Sequence, residues 1–152
     1  MHLSTRARYA IMALIDLAYL QKENEGQTPI TLAEIAERQD ISLSYLEQLF
    51  AKLRRHDIVK SMRGPGGGYT LAKDPKDTPL SEIILAVNEP MKMTRCGAED
   101  GNKDGCMADK ARCNAHHLWM ALSDHIQDFV NSTTLEMVIN DELKKNNNHK
   151  AA

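Results

Sequence analysis

The fold is decided by residues 42–72, SLSYLEQLFAKLRRHDIVKSMRGPGGGYTLA. Ser42 is a typical N-cap residue, and the apolar residues that follow recur at three- and four-residue spacing: Leu46, Leu49, Phe50 and Leu53. This spacing predicts an amphipathic helix from Leu43 to about Arg55. Two short β-prone runs, Ile58–Arg63 and Tyr69–Ala72, flank the turn Gly64–Gly68 and predict a hairpin.

Upstream of this stretch the sequence predicts two more helices. Ser4 can cap the first, and its segment Tyr9–Ala18 is apolar on nearly all sides, which indicates a buried helix. Thr31 and Glu34 form a capping-box pattern at the start of a short helix that ends near Gln39. Two helices, a tight turn, a third helix and a hairpin follow the order of a winged helix-turn-helix domain.

Downstream, we expect Thr78 to cap a helix that has Pro79 at its first position. From Ala115 the chain is predicted to be helical again, with one apolar stripe: Leu118, Trp119, Leu122, Ile126, Phe129 and Val130. Thr133 and Glu136 indicate a last short helix. The stripe can pack within one chain or cross the same helix of a second copy. We favour the second copy, because a single winged module binds DNA weakly and a dimer reads two half-sites.

The expected fold is therefore mainly α with a small β-hairpin, a winged helix-turn-helix domain plus a long dimerisation helix. The 152 residues divide into a DNA-binding domain at 1–90, a cysteine-containing loop at 91–117, a dimerisation helix region at 115–140 and a disordered, polar tail at 141–152. The chain shows neither a signal peptide nor a membrane-spanning run, and its odd cysteine count favours a reducing cytoplasm.

Charge is more informative in its distribution than in its sum, because the net charge is only −2. Residues 51–73 contain one acidic residue, Asp57, and six lysines and arginines: Lys52, Arg54, Arg55, Lys60, Arg63 and Lys73. Such a basic face is typical of a phosphate-binding surface.

The helix and the hairpin also suit double-stranded DNA. The helix from Leu43 has an apolar face for docking and a polar face for base edges, as a recognition helix requires. The glycines of the turn leave backbone N–H groups bare to approach DNA, and Arg63 is positioned to reach a base or the minor groove. Each feature alone is common in surface helices and turns, and their order along the chain is what indicates DNA binding.

All three cysteines lie in one polar, glycine-rich segment. Cys96, Cys106, Cys113 and His116 are separated by nine, six and two residues. Thiolates and an imidazole are ligands for soft or borderline metals, so the segment is predicted to hold a metal or a metal–sulfur cluster. Structural zinc is the competing interpretation, although only Cys113 and His116 have the short spacing of a zinc knuckle.

Three motifs resemble a known family, the Rrf-type winged-helix transcription regulators. They are Leu3–Thr5 with Arg8–Ala10, then Ile41–Phe50, then Arg63–Tyr69. Within that family, the three cysteines and the ending Cys113–His116 resemble the IscR type, which senses iron–sulfur clusters. The resemblance covers residues 1 to about 140.

The resemblance implies a repressor of iron–sulfur cluster assembly genes, whose apo and loaded forms recognise different operators. It implies a 2Fe-2S cluster held by four ligands: Cys96, Cys106, Cys113 and His116. It implies major-groove reading by the third helix through Ser44, Tyr45, Glu47 and Gln48. It implies that the wing enters the minor groove through Arg63, Gly64, Gly66, Gly67 and Gly68.

Several alternatives stay open. The gap between Cys96 and Cys106 is longer than is usual for the IscR type, which leaves a 4Fe-4S regulator of iron or nitric oxide response possible. A zinc-stabilised winged-helix repressor is the third reading. His117 competes with His116 as the ligand, and Glu47 could simply pair with Arg54 or Arg55. An enzyme is not expected, because the chain has no Cys-x-x-Cys and no phosphate-binding Gly-x-Gly-x-x-Gly.

Overall fold

Helices account for most of the computed structural model, which describes residues 4–26, 28–88, 107 and 111–144. The elements run in the order α1 (Thr5–Glu23), α2 (Leu32–Gln39), α3 (Leu43–Arg55), β1 (Val59–Met62), β2 (Gly68–Leu71), α4 (Leu80–Ala86), α5 (His116–Ser132) and α6 (Leu135–Ile139). A short 3₁₀ turn, Pro75–Asp77, precedes α4. The predicted fold class, mainly α with a small hairpin, is confirmed.

Three of the predicted helix caps are present. The Oγ of Ser4 accepts a hydrogen bond from the backbone N–H of Ala7, and the Oγ1 of Thr31 accepts one from Glu34. The Oγ of Ser42 accepts one from the N–H of Tyr45, at 3.4 Å. These side chains satisfy N–H groups that have no partner inside their own helices, so they fix where α1, α2 and α3 begin.

The core surrounds α1. Its fully buried residues include three alanines, Ala7, Ala10 and Ala13, which allow neighbouring helices to approach closely. α1 contacts α2, α3, α4, α6 and β2. The predicted apolar stripe of α3 is buried against this core, and its members are Leu46, Leu49, Phe50 and Leu53. The opposite face of α3 is therefore turned outward.

One charged residue lies inside this core. Asp16, in the middle of α1, is only 4% exposed, and the Arg38 guanidinium of α2 binds it through three hydrogen bonds of 3.0–3.1 Å. The hydrogen bonds that Arg38 donates to Asp16, and then the negative charge of that carboxylate, raise the pKa of Arg38. The pair ties α2 to α1. Removal of the arginine would be strongly destabilising, because it would leave a buried carboxylate without its partner.

Two predicted caps in the second half of the chain are wrong. Thr78 is buried and does not cap α4, since its Oγ1 donates to the backbone carbonyl of Asp74. The Oγ1 of Thr134, and not that of Thr133, accepts from the third residue of α6. Both regions instead pair with each other: Leu80 N–H donates to the Thr133 carbonyl at 2.9 Å, and Leu135 N–H donates to the Thr78 carbonyl at 3.0 Å.

Through this pairing, the segment that follows α5 lies against the segment that begins α4. α6 then packs against α1, where the Tyr19 hydroxyl donates to the Ile139 carbonyl at 3.0 Å. α5 is thus connected at its C-terminal end to the same core that supports α3. Among the described helices, none combines the length and the apolar character needed to cross a membrane.

The hairpin is joined to the core through Ile30, which lies between α1 and α2. β1 and β2 pair antiparallel in the register Val59 with Leu71 and Met62 with Gly68. β1 is one residue shorter at each end than predicted, and β2 keeps its predicted length but begins one residue earlier. Beyond the hairpin, Ile30 and Tyr69 exchange backbone hydrogen bonds of 2.7 and 2.9 Å. This close approach needs a glycine at position 68, because a Cβ there would lie 2.4 Å from the Ile30 carbonyl oxygen.

We predict that Gly68→Ala lowers the free energy of unfolding by about 2–4 kcal/mol, since the added methyl group must displace backbone and weaken the Ile30–Tyr69 bridge. Gly66→Ala is the control: a Cβ at Gly66 meets nothing within 4 Å, and its positive φ of 75° alone should cost about 1 kcal/mol. Urea unfolding measures both. Equal losses would contradict the steric explanation.

Candidate DNA interface and metal-binding segment

The outward face of α3 carries three exposed polar side chains near its start, Ser44, Glu47 and Gln48. Within the described residues, Glu47 forms no ion pair with Arg54 or Arg55. The Arg54 guanidinium instead donates to the Ser61 Oγ of β1 at 3.2 Å. The carboxylate of Glu47 therefore faces solvent as an acceptor, which is what a hydrogen bond from a base amino group requires.

Tyr45 differs from these neighbours. Its ring is half-buried and meets Tyr9 of α1 edge to face, with 6.0 Å between the ring centroids, and the guanidinium of Arg8 lies 5.4 Å from the Tyr9 ring. The ring thus helps to hold α3 against α1. The sequence assigned Tyr45 wholly to the polar face, because the position of Tyr9 cannot be read from the periodicity of α3.

An open groove of about 550 Å³ lies between the beginnings of α1 and α3. Its lining joins Ser44 and Gln48 to two residues that the sequence did not assign to DNA contact, Thr5 and Asp40. The start of α1 therefore borders the outward face of α3. Only the fold reveals this, since the two segments are far apart in the chain.

The tip of the hairpin is exposed from Arg63 to Gly66, whereas Gly67 and Gly68 are half-buried. A Cβ at Gly67 would lie 2.4 Å from the Met62 carbonyl oxygen, so this glycine is required by the turn itself. Part of the glycine run is thus explained by close backbone contacts within the protein itself. The bare surface that could approach DNA is the stretch 63–66.

The basic surface predicted for residues 51–73 lies along the second half of α3 and β1. Arg54, Arg55, Lys60 and Arg63 are exposed there. Lys73 does not add a net positive charge, because its Nζ forms an ion pair with the carboxylate of Glu82 at 2.8 Å. The four exposed bases lie on the second half of α3 and on the hairpin, and exposed bases of this kind are suited to contacts with DNA phosphates.

The predicted metal ligands are described only in part. Cys96 and Cys106 lie outside the described residues, and the part that the structure describes holds no group of three metal-ligating side chains. Cys113 and His116 are half-buried and share one turn, in which the His116 N–H donates to the Cys113 carbonyl at 2.9 Å. His117 is exposed, and its ring centroid lies 5.6 Å from that of His116.

The turn at Cys113 leads directly into α5, whose apolar stripe is largely uncovered. Leu118 is 61% exposed and Phe129 50%, and Leu85 of the neighbouring α4 is 68% exposed. Of α5, only Val130 is buried among the described residues. Leu122 and Ile126 are half-buried, so packing within the described part of the chain covers the stripe only in part. Exposed apolar side chains grouped in this way are typical of a protein–protein interface.

Comparisons with known proteins agree with this architecture. The sequence profile of the Rrf2 family, described as an iron-dependent transcriptional regulator, matches residues 3–141. The HTH-type transcriptional regulator IscR of Sodalis glossinidius (strain morsitans) is 46% identical over 144 residues, covering 94% of this chain and 82% of that protein.

Two solved structures share the fold. CymR, the global cysteine regulator of B. subtilis, has a TM-score of 0.75 and 29% identity, over 92% of this chain and 97% of its own. IscR of T. potens has a TM-score of 0.70 and 32% identity, over 93% and 88% of the two chains.

The N-cap at Ser42 contributes to the stability of α3. Ser42→Ala should lower the free energy of unfolding by about 1 kcal/mol, because it removes this cap. Ser44→Ala is the matched control, since Ser44 is exposed and its hydroxyl only contacts that of Ser42, at 2.9 Å. It should change stability by less than about 0.5 kcal/mol. Thermal and urea unfolding test the pair, and a larger loss for Ser44→Ala would refute the assignment.

Proposed function

The chain belongs to the Rrf2 family of transcriptional regulators, and we propose that within it this protein is a dimeric repressor that senses iron–sulfur cluster status and controls cluster assembly genes. It is a DNA-binding regulator of the IscR type and not an enzyme. The observation that carries the sensing proposal is the turn Cys113–His116, which leads without a break into the uncovered helix α5. A group bound at the turn acts directly on the helix proposed to join two copies.

The reading of DNA is assigned to α3 and the hairpin. Ser44, Glu47 and Gln48 face the major groove, and Tyr45 contributes by setting the position of α3. Glu47 accepts a hydrogen bond from a cytosine amino group and repels sites that lack one. Arg63 and the turn glycines Gly64, Gly66, Gly67 and Gly68 approach the minor groove, with Gly67 and Gly68 shaping the tip.

Cys96, Cys106, Cys113 and His116 are the proposed ligands of a 2Fe-2S cluster. The donor set fits, because thiolates hold such clusters and an imidazole can replace one of them. The two described donors also fit, being half-buried and one turn apart. A cluster held by these four residues would link Cys96 and Cys106 to the start of α5. The chain's part is to present His116 from the first turn of α5 and Cys113 from the turn before it.

Dimerisation is assigned to the apolar face that α5 shares with Leu85 of α4. A second copy of the same face, related by a two-fold axis, covers these side chains and sets two α3 helices at the spacing of a pair of half-sites. In such a dimer, Cys113 and His116 would hold a cluster next to the interface, so its presence would bear on how the two α3 helices are set relative to each other. This is a coupling between a cofactor site and a DNA site.

The composition of the purified protein tests the cofactor. Anaerobically purified full-length chain is expected to be coloured, and to contain iron and acid-labile sulfide in the amounts of one 2Fe-2S cluster per chain. His116→Ala should change the visible spectrum and shorten cluster lifetime, whereas His117→Ala should leave both unchanged. Twice that iron and sulfide would favour a 4Fe-4S regulator of iron or nitric oxide response. Zinc in a colourless protein would favour the zinc-stabilised repressor and refute cluster sensing.

The dimer is tested by placing charge on α5. The double variant Leu118→Glu with Phe129→Glu should shift the protein to a monomer in sedimentation velocity, because carboxylates cannot be buried there without partners. It should also lower operator affinity at least about tenfold, since one winged module binds weakly. Asn131→Glu, on the opposite side of α5, is the control and should stay dimeric. A dimer that survives the double variant would place the interface elsewhere.

A further inference from the structure

One large apolar side chain in the reading helix has no role in the core. Leu43, the first residue of α3, is 42% exposed, whereas the other leucines of this helix are buried. It is also absent from the partly buried residues that pack against the core. The fold therefore does not require a leucine at this position.

Leu43 belongs to the polar surface that reads DNA. It precedes Glu47 by four residues, which places the two side chains on the same side of the helix, about 40° apart and about 6 Å along its axis. Ser44, next in sequence, is exposed as well. The leucine thus extends the row of side chains proposed to face the major groove.

The major groove offers one apolar group, the C5-methyl of thymine, and aliphatic side chains can contact it. We propose that Leu43 contacts the methyl group of a thymine within about two base pairs of the base read by Glu47, and so makes thymine part of the preferred operator. The inference rests on the proposed reading face. Leu43 adds an apolar contact to that face, which the hydrogen-bonding residues of the face cannot supply.

The exposed Met62 of β1 provides the contrast. It is 57% exposed, but it lies on the hairpin, whose proposed target is the minor groove, where no base carries a methyl group. An exposed apolar residue on this protein is therefore not by itself a methyl reader. The position on α3 is what distinguishes Leu43.

Removal of single methyl groups from the operator tests the proposal. A DNA site is first selected from a random duplex pool with the anaerobically purified full-length chain, and each thymine of one half-site is then replaced by deoxyuridine. Wild type should lose about fourfold in affinity at one thymine, the equivalent of one buried methyl group. Leu43→Ala should bind the thymine and uracil versions of that site equally, while Met62→Ala should keep the wild-type preference.

Leu43→Ala is expected to fold, because alanine favours helix and the leucine is exposed, and circular dichroism checks this. The wild-type measurement is decisive even without the variant. The proposal is overturned if no thymine shows a methyl effect in wild type, or if Leu43→Ala keeps the same effect at the same thymine. Failure to select any DNA would instead refute DNA reading itself, so the two failures are distinguishable.

Discussion

Burial of α1 on nearly every side is the constraint on which the rest of the structure depends. Its buried alanines let α2, α3, α4 and α6 pack against it. Asp16 interrupts this apolar surface, and its bonds to Arg38 fix α2 to α1. α1 thus contacts both α3 and α6, the helix that follows α5.

α5 is held differently from every other long helix. Its C-terminal end is fixed where Leu80 and Leu135 pair with Thr133 and Thr78. Its first residue is His116, and Cys113 lies in the turn just before it. Between these ends Leu118, Trp119 and Phe129 are exposed. A helix with one fixed end, one ligand-bearing end and an apolar face is suited to convert binding at the ligand end into a different approach of two subunits.

The elements near α3 were predicted well, because their sequence signals act over only a few residues. The errors arose where contacts join segments that are far apart in the chain. The bounds Leu43–Arg55 were predicted correctly, because the cap at Ser42 and the apolar spacing act within a few residues. Thr78 and Thr133 were misjudged as caps, since their backbone groups bind each other's segments across more than fifty residues of sequence. Tyr45 and Gly68 have neighbours, Tyr9 and Ile30, that no local pattern indicates. The assignment of Cys96, Cys106, Cys113 and His116 as ligands stays a prediction.

The central claim is that a cluster held at the start of α5 changes how the dimer binds its operators. The most direct measurement is operator affinity of one anaerobic preparation, before and after the cluster is removed by a chelator and after it is rebuilt with iron and sulfide. The account predicts a reversible change of about tenfold or more on at least one operator class. Equal affinities in all three states, on every operator, would contradict it.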